Sequence, residues 1–455
     1  MRTAEPADLV RRPFRRHLGT IVILVGIAVT FGLLLTASVA WVKSDIKPFS
    51  VVPREKYQRA PGPLNTLTRG MPPKSSEDNP MGASPDIKAV QVFRDSIRLL
   101  SAGKAIRVIP TPQPLTTLDA VVKTVHDPAW LSSDGNGTIT FKVGVVIDRG
   151  ADIAASAPLT QTIMMENNTS VLLGVEHEGR LTLNGVHVTS DAPQHPAAHL
   201  QYRPAVVASN KGAMDIVNST FTNLGWDWNA AYGVSWVNGA TGMAIGSTFA
   251  EGFIGVYTSS VTGIQFINDR FVHNDLYGLD PHTGSNNLLV DGAVAEHNAA
   301  HGIIFSQDVT ASTVTNSTSR YNGENGIMMD LRSSGNTLSH NISEHNRGDG
   351  IVLAESPGTV VAGNTIRDNR VGIRMSPVGS VTLGGNRITE NTLATEGVQL
   401  SPSDETSGNG GQYRVNVLIA IWAGAVLFVG LGTLLLFVGN GWLRRREGPV
   451  HAYFA

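Results

Sequence analysis

Asp280-Pro281-His282 sets a carboxylate and an imidazole on either side of a proline, directly after the glycine-led pair Gly278-Leu279. Imidazole titrates close to neutral pH, so a histidine held near a carboxylate can accept or deliver a proton. Proline removes a ladder donor and disturbs a strand locally, and irregularity beside a titratable pair often marks a functional site. The competing reading is a turn histidine that holds the backbone through Asp280. The sequence has no cysteine, which excludes thiolate nucleophiles, thiolate metal sites and disulfides. Its 13 histidines and the pair Met328-Met329 show no clustered metal spacing, so no metal or other cofactor is expected. Calcium bridging between acidic side chains stays open, without a motif for it.

The elements that must hold this motif are read from a repeat. Glycine precedes a short apolar strand at 233, 255, 278, 302, 326, 350, 372 and 397, with separations of 22, 23, 24, 24, 24, 22 and 25. Asn274, Asn298, Asn322, Asn346, Asn369 and Asn391 run in phase, separated by 24, 24, 24, 23 and 22. An inward asparagine at one turn of each coil can hydrogen-bond the neighbouring coils and form a ladder. A leucine-rich repeat has a similar period but requires a regular leucine scaffold, and a propeller blade needs about 40 residues or more. The period therefore predicts an all-β, right-handed parallel β-helix over residues 130–402, in coils of about 22–25 residues that bury a core no single coil could bury.

In such a fold, residues at one offset from the repeat glycine stack about 4.8 Å apart. Offset +4 gives His282, Ser306 and Asp330, and offset +2 gives Tyr257, Asp280 and Arg374. Arg332 stands at +6 from Gly326. One polar face is expected to gather these residues with Gln307, Asp308 and Glu355, and Tyr257 and Trp236 offer aromatic surface for sugar rings. For Arg332 and Arg374 a solvated surface role is the stronger expectation. His297 and His345, each within Glu-His-Asn and 48 residues apart, read as turn residues.

Tyr-Gly-Leu-Asp-Pro-His at 277–282, His-Gly-Ile-Ile-Phe-Ser at 301–306 and Gly-Ile-Arg-Met at 372–375 resemble the periplasmic mannuronan C-5 epimerases of alginate production. The resemblance covers roughly residues 130 to 400. It implies that His282 is the catalytic base, with Asp280 its neighbour in the Asp-Pro-His-Asp signature. The signature's last Asp is Thr283 here, and the family's arginine for the substrate carboxylate falls on Gln307. The implied reaction removes the proton α to a uronate carboxylate. A base near neutrality takes that proton, and a cation or several donors take up the developing charge. Protonation from the opposite face epimerises the centre; expulsion of the 4-linked sugar makes the same site a lyase. A non-catalytic β-helix that binds polysaccharide or scaffolds an export machine is the alternative, with a synthase or export partner.

Charge sharpens that choice. The chain carries a formal −2, which gives no footprint for nucleic acid. Residues 201–400 hold 10 Lys+Arg and 17 Asp+Glu, a balance of −7, which suits a neutral, sparsely charged or cation-bridged glycan better than a dense polyanion.

The ends complete the expected organisation. Residues 18–42 and 414–443 are long runs poor in charge, each long enough to span a bilayer, and arginines flank both on their outer sides. The expectation is a two-pass cell-membrane protein with cytoplasmic tails at 1–17 and 444–455 and an extracytoplasmic β-helix. A cleaved leader ending near Ser38-Val39-Ala40 is the other reading of the first run. Residues 43–85 and 403–413 read as linkers. Residues 86–129 read as a helical cap with the lead-in to the coils, on the helical spacing of Ile87, Val90, Phe93, Ile97 and Leu100.

Overall fold

The structure, a computed structural model, describes residues 88–193, 202–227, 230–376 and 379–410. These form a parallel β-solenoid of three sheets with 14, 10 and 13 strands. Each coil supplies one short strand to each sheet in turn. Val256–Ser259 lies in the first sheet, Gln265–Ile267 in the second and Arg270–Val272 in the third, before Leu279–His282 returns to the first. Parallel pairing then sets every coil in register on the next, as in Val256↔Leu279 and Phe271↔Ala295.

One continuous apolar core fills the solenoid, from Val90 to Ile388. Phe221, Phe249 and Phe271 stack within it at 5.1 and 5.5 Å between ring centroids. The asparagine ladder forms as the phase of the repeat predicts. Asn298 donates its backbone N–H and its amide to Asn322 Oδ1 at 3.1 and 3.0 Å, and Asn322 repeats both bonds to Asn346 at 3.1 and 2.9 Å. A second ladder through Asn341, Asn364 and Asn386 closes another turn of the coil in the same way. His297 and His345 are turn residues with φ of 58° and 54°, stacked on either side of Tyr321.

Two expectations are corrected. The segment expected as a capping helix is a pair of antiparallel hairpins, Lys88–Val92, Ser96–Ser101 and Lys104–Pro110. The residues that reach the core are Val90 and Val92, then Ile97 and Leu99, which alternate at period 2 within their strands, while Phe93 and Leu100 of the helical spacing do not join it; pairing with Gly144–Ile147 extends the first sheet. Ala102 and Gly103, at φ 51° and 72°, make the tight hairpin turn that positive φ at two successive residues allows. A cap exists later in the chain: helix Leu118–Val125, started by Thr117 Oγ1 accepting from Ala120 N at 3.2 Å, buries Leu118, Val121, Val122 and Val125 in the core. The second correction concerns the membrane. No helix among the described residues is long and apolar enough to cross one. The expected spans at 18–42 and 414–443 lie outside the described residues. The described residues form the β-solenoid alone, and they give no support to the two-pass placement.

Candidate active site

The first sheet differs from the other two in its burial. Strands of the second sheet and several of the third alternate, with only the inward residue buried, as in Thr313–Thr315 and Thr365–Arg367. Strands of the first sheet are buried on both faces, as in Val256–Ser259, Leu279–His282 and Ile303–Phe305. Register resolves its outward face into two columns. Ser235, Tyr257, Asp280, Ile304, Met328, Val352, Arg374 and Glu396 make one. Ser259 pairs with His282 and His282 with Ser306. The backbone N–H groups of Ser306 and Asp330 then bond Pro281 O and Phe305 O in the same pattern, at 3.0 and 2.9 Å. The second column is thus Ser259, His282, Ser306 and Asp330.

Tyr257, Asp280 and His282 meet on this face. The Tyr257 ring lies 5.6 Å from the His282 ring and 4.7 Å, edge-on, from Tyr232. Tyr232 arrives from the long excursion between strands Thr220–Thr222 and Val234–Val237. Burial drives His282 down to about 4, so its imidazole is neutral at neutral pH. Its Nδ1 lies 2.6 Å from Thr283 Oγ1, which donates its own proton to Gln307 Oε1 at 3.3 Å. A hydroxyl with its proton committed accepts from Nδ1–H, so the basic lone pair is on Nε2. Thr283 holds this relay at φ 36°, a sparsely populated conformation for a β-branched residue. Burial, and then Asp330, raise the Asp280 carboxyl well above the usual carboxylate range. Burial lifts Asp330 to about 6; the nearby Ser306 hydroxyl offsets part of that rise without reaching hydrogen-bond geometry, and Glu355 adds to it.

Buried polar atoms without a hydrogen bond gather along this face. They include the hydroxyls of Ser235 and Ser306, Asp280 Oδ1 and both carboxyl oxygens of Asp330. Such atoms cost about 1–3 kcal/mol each when left unpaired, so a run of them on one surface marks a place where a polar ligand belongs.

The other expected residues stand elsewhere. Gln307 is in the site, through Thr283. Trp236 points inward, fully buried, with Nε1 donating to Met214 O at 3.1 Å and its ring against Phe266, and offers no face to a sugar. Along the strand it alternates with Tyr257's column, which offsets +2 and +3 from the glycine already imply. Arg332 makes two bonds to Asp308, at 2.8 and 2.7 Å, in the turn beside the column. Arg374 shares the column of Asp280 but lies four rungs on, about 19 Å away. It contacts Asp349 at 2.9 Å and Glu396 at 2.7 Å, ion pairs close in distance but poor in hydrogen-bond angle. Two contributors were hidden in the sequence. Tyr232 sits before the repeat glycine, outside the offsets that trace the strands, and Thr283 gains meaning only from Gln307 one rung away. Among the described residues, one group has metal-ligand spacing: Asp148, Glu176 and His177 lie within 4.8 Å of one another, on coils well before His282. They already bond one another and Gln91 and Asn210.

Known proteins carry the same arrangement of coils. The family described as a right handed beta helix region matches residues 204–333 and 283–426. A mannuronan C5-epimerase of Pseudomonas aeruginosa is 28% identical over 201 residues, covering 40% of this chain and 36% of that protein. The mannuronan C5-epimerase AlgG of Azotobacter vinelandii is 29% identical over 258 residues, covering 52% and 49%. The chain thus spans half or less of the length of these relatives. The crystal structure of the periplasmic alginate epimerase AlgG superposes with a TM-score of 0.58 at 20% identity, over 65% of this chain and 82% of that one. That likeness concerns the fold.

Proposed function

We propose that this chain, a mannuronan epimerase-like right-handed β-helix protein, inverts C-5 of uronate residues in a polysaccharide, with His282 as the base. The observation that carries this reading is the neutral His282, with its basic nitrogen assigned to Nε2, on a face lined by unpaired buried polar atoms. His282 Nε2 takes the C-5 proton as the C–H bond breaks, and the electron pair passes into the carboxylate to give a dianionic enolate. Tyr257 holds its phenolic proton firmly, because burial raises its pKa well above the ordinary value. That hydroxyl, or a water, returns a proton to the opposite face of C-5. Imidazolium then sheds its proton to solvent and the donor is restored. If the electron pair expels the 4-linked sugar instead, the product is unsaturated and the reaction is elimination.

A second reading has its own support. Thr283 stands where the epimerase signature has an aspartate and Gln307 where the family has its arginine for the substrate carboxylate, and the coil region carries −7. A non-catalytic groove that holds a glycan for a synthase or export apparatus fits those facts. Deuterium uptake from heavy water into polymannuronate separates the two. Exchange at C-5 that disappears in His282→Ala, with the fold intact by circular dichroism, supports proton abstraction. Absence of exchange by the wild type on polymannuronate and on other uronans would sink it in favour of binding alone.

A further inference from the structure

Abstraction beside a carboxylate needs something to absorb the second negative charge, and the arginines near this face are engaged. Arg332 is bound to Asp308, and Arg374 sits between Asp349 and Glu396, four rungs from Asp280. Asp330 offers a different solution. It is fully buried, it shares a column with His282, and neither of its carboxyl oxygens has a hydrogen bond. Building on the proposed C-5 chemistry, we propose that Asp330 engages the substrate's carboxylate as a neutral carboxylic acid, donating a hydrogen bond where a cation would otherwise stand.

The spacing fits one sugar residue. His282 and Asp330 are two rungs apart, roughly 9.6 Å, with side chains directed the same way. A proton transfer needs Nε2 about 3 Å from C-5. A carboxylate oxygen is about 2.4 Å from C-5 by bond lengths, and a short acid–carboxylate hydrogen bond adds about 2.6 Å. The sum, about 8 Å, falls within the reach of two side chains leaning together. Ser306, with its unpaired hydroxyl, lies on the rung between and faces the same sugar.

The surroundings keep the acid protonated. Burial disfavours its charged form, Glu355 in the turn one coil on adds to that, and His282 in its own column is neutral and offers no compensating charge. The Arg332 guanidinium is spent on Asp308 in the adjoining turn. A carboxylate brought in by the substrate adds a further negative charge and strengthens the preference for the neutral acid. In the transition state the new charge develops on the oxygen that accepts from Asp330, so the bond tightens as the barrier is crossed. This requires His282 deprotonated and Asp330 protonated, a window between about 4 and about 6 in the free protein.

The test is the pH dependence of kcat/KM for deuterium exchange into polymannuronate by the wild type, Asp330→Asn and Asp330→Ala. The wild type should lose about tenfold in rate per pH unit above the Asp330 pKa. Asp330→Asn keeps a neutral N–H donor that does not titrate, so its alkaline limb should flatten. Asp330→Ala should fall about 10²-fold at the pH where the wild type is fastest, as expected for a lost oxyanion donor, and converge with the wild type as pH rises. An unchanged alkaline limb in Asp330→Asn, or Asp330→Ala within about threefold of wild type at the pH where the wild type is fastest, overturns the assignment while leaving the His282 reading standing. Should Asp330→Ala fail to fold, the limb of Asp330→Asn decides. A wild type without exchange overturns both.

Discussion

At the scale of single residues, His282 depends on a neighbour that the epimerase signature would not supply. Where that signature has a carboxylate after the histidine, this chain has Thr283, and the Nδ1 contact survives because a hydroxyl can accept while it donates onward to Gln307. The exchange removes a negative charge beside the imidazole and so leaves burial unopposed in pulling the His282 pKa down. Thr283→Val keeps the β-branched shape, and with it the same backbone strain at φ 36°, but deletes the acceptor. Its kcat on polymannuronate should drop about 10–10²-fold with KM little changed, because the fraction of imidazole in the reactive tautomer falls while binding persists. Thr283→Ser should restore the rate. Equal losses in kcat and binding by both variants would reduce Thr283 to a packing role.

At the scale of elements, the turns carry more of the stability than their length suggests. Asn322 alone accepts two bonds from Asn298 and donates to Ala295 O, Ser319 Oγ and Asn346 Oδ1. Asn322→Ala strands the buried Asn298 donors on one coil and takes a donor from Asn346 Oδ1 on the next, at a cost of about 2–4 kcal/mol, read as a lower urea midpoint with unchanged m-value. Asp269 fills a comparable turn with the wrong charge. Its Oδ1 accepts from Ser247 N at 2.7 Å, but Oδ2 is unpaired, and burial raises the carboxyl to about 7. An acid whose folded pKa lies above its ordinary 3.8 costs stability progressively as pH rises from 3.8 towards 7, and fully above that. Asp269→Asn should therefore raise the melting temperature at pH 8 and not at pH 4; equal shifts at both would refute the charge argument. These turns also mark what could be read beforehand. Counting from the repeat glycines placed His282, Ser306 and Asp330 in one column, because parallel stacking converts sequence period directly into position. The same count separates Trp236, at +3, from the column of Tyr257, at +2, by the alternation of a strand, so the two aromatic residues could not share a face. It did not separate helix from hairpin over 88–101, where the alternating pairs Val90 and Val92, then Ile97 and Leu99, are runs too short to stand out against the helical spacing. The second asparagine ladder went unread because its members look like scattered polar turns until the coils are stacked.

At the scale of the whole molecule, the solenoid turns a one-dimensional repeat into one long face, and charge then decides which polymers approach it. Residues 201–400 carry 17 acidic and 10 basic side chains, and several of the basic ones are spent on acidic partners. Arg320 bonds Glu296, Arg367 contacts Glu344, and Arg270 contacts Glu296, in a ladder along the third sheet. Arg370 and Arg374 are held by Asp349, and Arg203 is buried against Asp275. A polyuronate therefore meets a surface whose net field repels it at long range, while the affinity must come from close contacts on the first sheet. Salt screens the first and touches the second little, because the Debye length shrinks from about 30 Å at 0.01 M to about 8 Å at 0.15 M while bonds made in a desolvated groove are short. KM for polymannuronate should thus fall as ionic strength rises over that range, with kcat unchanged. That is the reverse of the weakening that a basic groove displays when its charge pairs are screened. A KM that rises with salt would mean that binding is driven by cations, which would return the arginine turns beside the His282 column to the centre of recognition.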